Sequence, residues 1–472
     1  MPARRPLALP EMKPNLPTEV RPRPAGGRVR LPFLILAAAV LHVSVTTSIF
    51  MIGNFGLMPG QFDHNGLGNF ASDGFVYQTE VLELCSVLKN EGVIAWATWP
   101  TQLHLRLYSL PLAPVSRWTG FNILVIEPLN LIYYLAILVF VFKLGELIFE
   151  YRTGLLAAAI VALWPSFLLH TTQLLRDPLL ISSFLVLMLS VTLCLKREYT
   201  WHRGILLGLA DAAAIVAVRI VRLPMWNLLV AIIGLAVLFL LVQLIRQRRF
   251  LVGNVAFGLM MIAAVIITPH FQSSFRNQQV VKTQRFIVPE EMQSLSVQEQ
   301  IAARRQGFDY RIEPSGESVP SEAGSDLDRG VRFSRPVDIL RQVPRATLVG
   351  FFAPFPNMWL SPGKQVGSGG RLLSGFEMVL TYVIECLALF GLWRGRKHLV
   401  AWFLFLIATL GALALGLVVT NIGALYRLRY PFWALLVVLG AGGADYLLRR
   451  KDVATSPPLG PATAQSSGTI PS

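Results

Sequence analysis

The sequence predicts an all-α membrane protein with about ten transmembrane helices and two loops on the outer face. Of its 472 residues, 54% are hydrophobic and only 15% are charged, and the mean hydropathy is +0.55. A typical soluble protein has about 25% charged residues, and a membrane-spanning helix needs about 20 consecutive apolar residues. The composition therefore excludes a disordered chain and argues against a soluble globular enzyme.

Ten apolar stretches divide the chain into five parts. These are a basic, proline-rich and disordered arm (1–30), an N-terminal transmembrane module (31–268) with an outer loop (54–120), a large loop (269–374), C-terminal transmembrane helices (375–448) and a disordered tail (449–472). The predicted spans are 31–53, 122–142, 154–170, 178–195, 204–221, 225–245, 250–268, 375–393, 399–419 and 430–448.

The charge distribution predicts the orientation. With the N-terminus in the cytoplasm, 21 of the 42 lysines and arginines fall in cytoplasmic segments, and eight fall in short segments on the opposite side. The other 13 lie in the long loop, and long loops are translocated largely regardless of charge. We therefore expect both termini to be cytoplasmic and both large loops to lie outside. Membrane orientation accounts for the net charge of +15 without nucleic acid as a partner. Three cysteines, two of them in apolar stretches, offer no disulfide framework.

Polar residues gather in four segments that this topology places on the outer side. The first lies in the loop at 54–120, where Asp73, Tyr77 and Glu80 share one face of a predicted amphipathic helix. Asp73 also suits a simple helix N-cap after Ser72, and the pair Asp63 and Asp73 suits a metal ion, although without tight ligand spacing.

The other three segments are rich in arginine. They contain Arg176 and Asp177 before Pro178, Arg219 and Arg222 at helical i, i+3 spacing, and Arg427 and Arg429 before the last span. A capped helix start accounts for Asp177, and snorkelling accounts for a single arginine near a headgroup. Paired guanidinium groups suit phosphate, which they grip through two hydrogen bonds. The segments therefore predict a site for a phosphorylated lipid.

Two acidic residues lie within predicted spans. Glu127 and Asp211 suit either a proton relay or hydrogen bonds to neighbouring helices. The chain has no P-loop, HExxH, CxxC or GxSxG motif.

The chain resembles the GT-C-type membrane glycosyltransferases, in the group of protein mannosyltransferases and bacterial lipid aminoarabinose transferases. Three short segments carry the resemblance: Asp-x-x-x-Tyr at 73–77, a Pro-Ser pair leading to Arg-Asp-Pro within 165–178, and Arg-x-Arg-Tyr-Pro at 427–431. Where the family often has Asp-Glu in the first segment, this chain has Asp73 followed by glycine.

The resemblance implies an inverting hexosyl- or pentosyltransferase of the bacterial inner membrane, acting in cell-surface polysaccharide or glycolipid biosynthesis. Its donor would be a polyprenyl-phosphate-linked sugar and its acceptor a lipid, glycan or protein on the periplasmic face. No cofactor is required by the sequence, and a divalent cation is left open. The implied catalytic residues are Asp73 as general base, Asp177 and Arg176. The implied donor phosphate-binding residues are Arg219, Arg222, Arg427, Arg429 and Tyr426, and the substrate-binding residues are Asp63, His64, Tyr77, Glu80, His170 and Gln173.

Two other function classes compete with this one. A polysaccharide polymerase or ligase using undecaprenyl-diphosphate glycans would rely on arginines and the large loop, and would not need Asp73. A lipid-glycan transporter predicts charges along a path through both leaflets and often repeated halves, whereas the polar residues here crowd one side.

Overall fold

The computed structural model describes residues 30–248, 251–279, 295–312, 318–320, 326–361, 363 and 366–455. Within these ranges the regular secondary structure is helical, apart from one pair of three-residue strands in the large loop. Residues 1–29 of the predicted arm (1–30) and residues 456–472 of the predicted tail (449–472) lie outside the described residues.

Seventeen helices follow one another along the described chain. They are α1 (Leu31–Asn54), α2 (Asp73–Asn90), α3 (Gly92–Thr98), α4 (Leu103–Thr119), α5 (Ile123–Ile148), α6 (Tyr151–Ala162), α7 (Pro165–Thr171), α8 (Asp177–Lys196), α9 (Trp201–Val221), α10 (Trp226–Gln247), α11 (Val252–Gln279), α12 (Val297–Asp309), α13 (Pro336–Phe352), α14 (Gly367–Arg394), α15 (Leu399–Val418), α16 (Ile422–Leu428) and α17 (Tyr430–Thr455). Strands β1 (Tyr310–Ile312) and β2 (Ser318–Pro320) pair antiparallel, and 3₁₀ turns lie at 69–71, 223–225 and 356–358.

The predicted all-α membrane architecture is confirmed. Nine of the described helices are long and apolar enough to cross a membrane, and the bent pair α6 and α7 makes ten. Each predicted span has a helical counterpart. Two helices extend further than predicted into the large loop, since α11 reaches Gln279 and α14 begins at Gly367. The last helix continues past Leu448 to Thr455.

The third span is broken where its sequence reaches Pro165. Helices α6 and α7 meet there at 68°. Proline lacks a backbone N–H, so it suits the first position of a new helix and not the interior of an old one. The Tyr134 hydroxyl of α5 donates to the carbonyl of Ala162 at 2.8 Å. This bond supplies a partner for a carbonyl at the end of α6 and stabilises the break inside the bundle.

The first loop builds a core of its own beside the membrane bundle. Helix α2 buries Tyr77, Val81 and Leu84 against α4 and the start of α5. The predicted amphipathic helix is therefore present, but Tyr77 belongs to its buried face, because its ring packs edge-on against His104 of α4.

The large loop is attached to the end of α15. The guanidinium of Arg305 donates to the carbonyl of Leu417 at 2.8 Å, and the Leu327 amide donates to Thr420 O at 2.8 Å. Helix α13 packs closely along α15 through Gly350 and Gly416. The loop therefore rests on the segment that leads into α16.

Buried polar groups join helices within the bundle. His42 of α1 contacts Glu127 of α5 through Nδ1 and Oε1 at 2.7 Å, and Thr171 of α7 through Nε2 at 3.1 Å. Thr46 donates to the other Glu127 oxygen at 2.8 Å. Glu127 therefore hydrogen-bonds to a neighbouring helix, which is one of the two alternatives set out for it. Asp211 is fully buried in α9.

A group of ion pairs lies at the opposite end of the bundle. Arg449 of α17 donates to Glu150 Oε1 at 3.0 Å and Oε2 at 2.6 Å, and its Nε donates to Asp445 at 3.2 Å. Arg394, the last residue of α14, lies 3.7 Å from both carboxylates. These pairs fix α14 and α17 to the segment between α5 and α6.

Candidate functional site

Four elements bring charged side chains together at one end of the bundle. Asp73 begins α2, Asp177 begins α8, Arg222 directly follows α9, and Arg427 lies on α16. Each residue comes from a different one of the four polar segments noted in the sequence. Helix starts and ends lie at the same level in an up-and-down bundle, so residues distant in sequence meet there.

The four side chains form a continuous chain of ion pairs, named here the charge cluster. Arg427 donates through Nη2 to Asp73 Oδ2 at 2.9 Å, and its Nη1 lies 3.7 Å from Asp177 Oδ2. Arg222 donates through Nη1 to Asp177 Oδ1 at 2.9 Å. Arg427 therefore bridges the two carboxylates, and Asp177 bridges the two arginines.

The two carboxylates differ in their access to solvent. The Asp177 side chain is 7% exposed and lies between two guanidinium groups, whereas the Asp73 side chain is 42% exposed and has Arg427 on one side. Asp177 is thus placed to hold arginines in position. Asp73 is placed to meet a molecule that enters from outside.

Together with Arg176, the charge cluster has three guanidinium groups against two carboxylates. Arg176 adds a third guanidinium beside the two carboxylates. Burial, followed by the nearby Arg176, lowers the pKa of Arg222 to about 10, so Arg222 stays protonated at neutral pH. For Arg427, burial opposes the charge, but the carboxylates of Asp177 and Asp73 outweigh it and raise the pKa. An anion would relieve the repulsion among the three cations.

Two of the guanidinium groups have N–H donors without an acceptor. Within the described part of the chain, Arg176 Nε and Arg427 Nη1 are buried and have no hydrogen-bond acceptor. Buried donors without acceptors are uncommon in folded proteins. A bound anion would supply acceptors for such donors.

His104 forms part of the wall beside the cluster and was not singled out in the sequence. It is fully buried near the start of α4, its ring centroid lies 4.7 Å from that of Tyr77, and neither ring nitrogen has a hydrogen-bond partner among the described residues. Burial, then Arg176, lowers the pKa of His104 to about 3. Only its place beside the aromatic residues of α4 marks it in the sequence, and that signal is weak.

His170 lies near Arg427 and Asp177, and Gln173 follows the end of α7. The Tyr430 hydroxyl and His170 Nδ1 lie 3.2 Å apart, and Nδ1 is 2.5 Å from the carbonyl of Ser166. Gln173 accepts from the Gly68 amide at 2.8 Å and donates to Gly66 O at 3.4 Å. Gln173 therefore holds the first loop in place.

Three other first-loop residues were also predicted to bind substrate. The Asp63 carboxylate accepts from the amides of Asn65 at 3.0 Å and Leu67 at 2.6 Å, so it fixes its own turn. His64 is exposed in that turn, and Glu80 is half-buried on α2.

Three predicted phosphate-binding residues make other contacts. The Arg219 guanidinium stacks over Trp226, 4.2 Å from the ring centroid. Its expected partner Arg222 lies beyond the end of α9, so helical i, i+3 spacing does not bring the two together. Arg429 donates to the carbonyls of Phe351 at 2.8 Å and Ala353 at 3.0 Å, and the Tyr426 hydroxyl donates to Glu377.

Glu377 lies near the predicted site residues but was not among those predicted from the sequence. It lies in α14, is fully buried, and accepts hydrogen bonds from both Ser166 and Tyr426. The signal was present in the sequence, since an ionisable residue in a membrane span is a functional candidate by default.

The carboxylates of the described chain do not gather into a metal-binding group. No three His, Cys, Asp or Glu side chains in the described ranges lie close enough together to hold a metal ion. Asp63 faces its own turn, and the space between Asp73 and Asp177 contains the Arg427 guanidinium.

An apolar crevice adjoins the charge cluster. It is lined by Leu180, Phe184, Val218, Met225, Leu228, Leu229, Ile232 and Pro431. Leu180 lies one turn beyond Asp177, Val218 one turn before Arg222, and Pro431 four residues after Arg427. The same elements that supply the charges therefore supply the crevice walls.

A comparison with solved structures finds chains of similar fold. The chain is similar in fold to the archaeal oligosaccharyltransferase AglB from Archaeoglobus fulgidus, which was solved with an inhibitory peptide and a dolichol-phosphate. The two are 12% identical with a TM-score of 0.46, over 90% of this chain and 51% of that one, so this chain spans about half of that protein's length. No protein-family model and no curated protein matches the sequence.

Proposed function

We propose that the protein is a membrane glycosyltransferase that moves a sugar from a polyprenyl-phosphate donor to a lipid, glycan or protein acceptor. The reaction would take place at the outer face of a bacterial inner membrane, in cell-surface polysaccharide or glycolipid biosynthesis. The observation that supports this best is the charge cluster beside the apolar crevice. Together they match a ligand with an anionic head and an apolar tail.

The phosphate would bind where cations are in excess. Arg176 and Arg427 have buried donors without acceptors, and Arg222 completes a ring of three guanidinium groups around Asp177. Charge-assisted bonds of this kind are about twice as strong as neutral ones. The isoprenoid chain would lie against the apolar side chains of α8, α9 and α10 that line the crevice, because the crevice itself has room for little more than a water molecule.

The reaction would be a single displacement with inversion. Asp73 takes the proton of the acceptor hydroxyl as its oxygen attacks the anomeric carbon of the sugar. The bond from that carbon to the phosphate oxygen breaks, and the electron pair leaves with polyprenyl phosphate. Arg176, Arg222 and Arg427 stabilise the growing negative charge on the leaving group.

Sugar transfer by the purified protein tests this proposal. In nanodiscs it would receive a panel of polyprenyl-phosphate sugars with an extracted lipid-glycan acceptor pool. We expect transfer from a monophosphate donor, reduced about 10²- to 10⁴-fold in Asp73→Asn because the general base is lost. Glu83→Gln, an exposed carboxylate on the same helix α2, serves as the matched control and should retain activity.

Two results would count against the proposal. Transfer only from diphosphate-linked glycans would favour a polymerase or ligase. Full activity in Asp73→Asn would remove the assigned base and favour catalysis by the arginines alone.

A further inference from the structure

One buried carboxylate connects two short helices that lie beside the charge cluster. Glu377 of α14 is fully buried. It accepts from the Ser166 amide at Oε1 and the Ser166 hydroxyl at Oε2, both at 2.6 Å, and from the Tyr426 hydroxyl at Oε2. Three donors on two oxygens match an acceptor-only carboxylate.

The contacts of Glu377 involve the first turn of α7 and the residue that precedes Arg427 in α16. Ser166 is the second residue of α7, and a helix leaves its first amides without internal partners. Glu377 therefore caps α7 from another helix. Tyr426 directly precedes Arg427 in α16.

Neither short helix can set its own position. Helices α7 and α16 have seven residues each, and isolated helices shorter than about 12 residues are marginal in water. Tertiary bonds must therefore fix where they lie. Their side chains next to the cluster are His170 on α7 and Arg427 on α16.

We propose that Glu377 is a positioning residue that orients α7 and α16 together, and so places Arg427 between Asp73 and Asp177. This inference rests on the proposed function in one respect, the binding of the donor phosphate by Arg427. Glu377 acts through Tyr426 and Ser166 and does not touch the donor.

Hydrogen exchange and lipid binding test the proposal with matched variants. Glu377→Gln keeps the shape but replaces one acceptor oxygen by a donor, and Glu385→Gln, on the same helix two turns further, is the control. In Glu377→Gln we expect faster exchange in 165–171 and 422–428, with the other helices unchanged. Affinity for undecaprenyl monophosphate should fall about 10-fold, and kcat should fall about 100-fold.

A second set of variants separates the two contacts. Tyr426→Phe removes the bond to α16 alone, so faster exchange should be confined to 422–428. Glu377→Asp keeps the charge on a shorter side chain and should restore part of the affinity lost in Glu377→Gln.

The outcomes are distinguishable. Unchanged exchange and affinity in Glu377→Gln would overturn the inference, and so would faster exchange throughout the bundle with a lower melting temperature, which indicates a general role in stability. If wild type does not bind undecaprenyl monophosphate while exchange changes as expected, the proposed function fails and the link between α7 and α16 stands.

Discussion

Asp73 and Asp177 contact the same guanidinium, but their surroundings give them different chemistry. Asp177 is buried with Arg222 and Arg427 on its two oxygens, and removing a buried partner of such a pair is costly. Asp73 is nearly half exposed. Sequence spacing alone could not separate these roles, because both residues begin a helix and both suit a cap.

His104 gives a prediction at the scale of a single residue. Its pKa is about 3 in the folded protein, against an ordinary value of 6.5. Below pH 6.5 the unfolded chain binds a proton that the folded chain excludes, so stability falls as pH falls; above pH 6.5 the effect vanishes. Between pH 7 and pH 5 the loss is about 2 kcal/mol.

We therefore expect the melting temperature in detergent to depend less on pH in His104→Leu than in wild type. Thermal scans at pH 7, 6 and 5 measure the slope of melting temperature against pH. This slope does not depend on the absolute stability of the variant. His64→Gln, at an exposed histidine, should keep the wild-type slope. Equal slopes for all three proteins would contradict the prediction.

At the scale of elements, the packing of α13 on α15 depends on two glycines. A Cβ at Gly416 would lie 1.9 Å from Ala346 O, and one at Gly350 would lie 2.0 Å from Ala412 O. The backbones therefore touch directly. Because Arg429 binds the carbonyls at the end of α13, this packing also supports α16.

Gly416→Ala and Gly234→Ala form a matched pair in two membrane helices. Nothing lies within 4 Å of a Cβ at Gly234, and alanine stabilises an ordinary helix by about 0.5–1 kcal/mol. We expect Gly416→Ala to destabilise the protein by about 2 kcal/mol through overpacking, and Gly234→Ala to be neutral or stabilising. Thermal unfolding in detergent distinguishes them, and equal melting temperatures would exclude the close contact.

The positions of the helices could be predicted from the sequence more accurately than the contacts of individual side chains. Long apolar stretches predicted the spans within a few residues, and Pro165 lies where α7 begins. Arg427 and Arg429 were grouped together, but residues two apart on a helix point to nearly opposite sides. Arg429 therefore faces α13 while Arg427 faces the cluster. The contacts of Glu377 depend on tertiary packing, which no local pattern encodes.

At the scale of the whole molecule, ten spans, with the bent pair α6 and α7 counted as one, would place both ends of the bundle on the same side of the membrane. The described chain has nine spanning helices and one bent pair, and an even number returns the chain to its starting side. From the excess of lysine and arginine in the segments predicted to lie on that side, we propose that it is cytoplasmic. The charge cluster would then lie outside.

Cysteine labelling tests this orientation. In a variant without native cysteines, a cysteine at Ser334 in the large loop should react with a membrane-impermeant maleimide on intact cells. A cysteine at Arg396, between α14 and α15, should react only after permeabilisation. The reverse pattern would invert the topology and place the charge cluster on the cytoplasmic side.

Arg427 has a single guanidinium, whose Nη2 donates to Asp73 and whose Nη1 lies 3.7 Å from Asp177 without a hydrogen bond. In the proposed reaction, a donor phosphate bound by the unpaired Nη1 would draw the guanidinium away from Asp73. Asp73 would then be a free carboxylate only once the donor is in place. The proposal therefore predicts an order of addition: the donor binds first, and an acceptor that arrives alone meets a base still paired with Arg427.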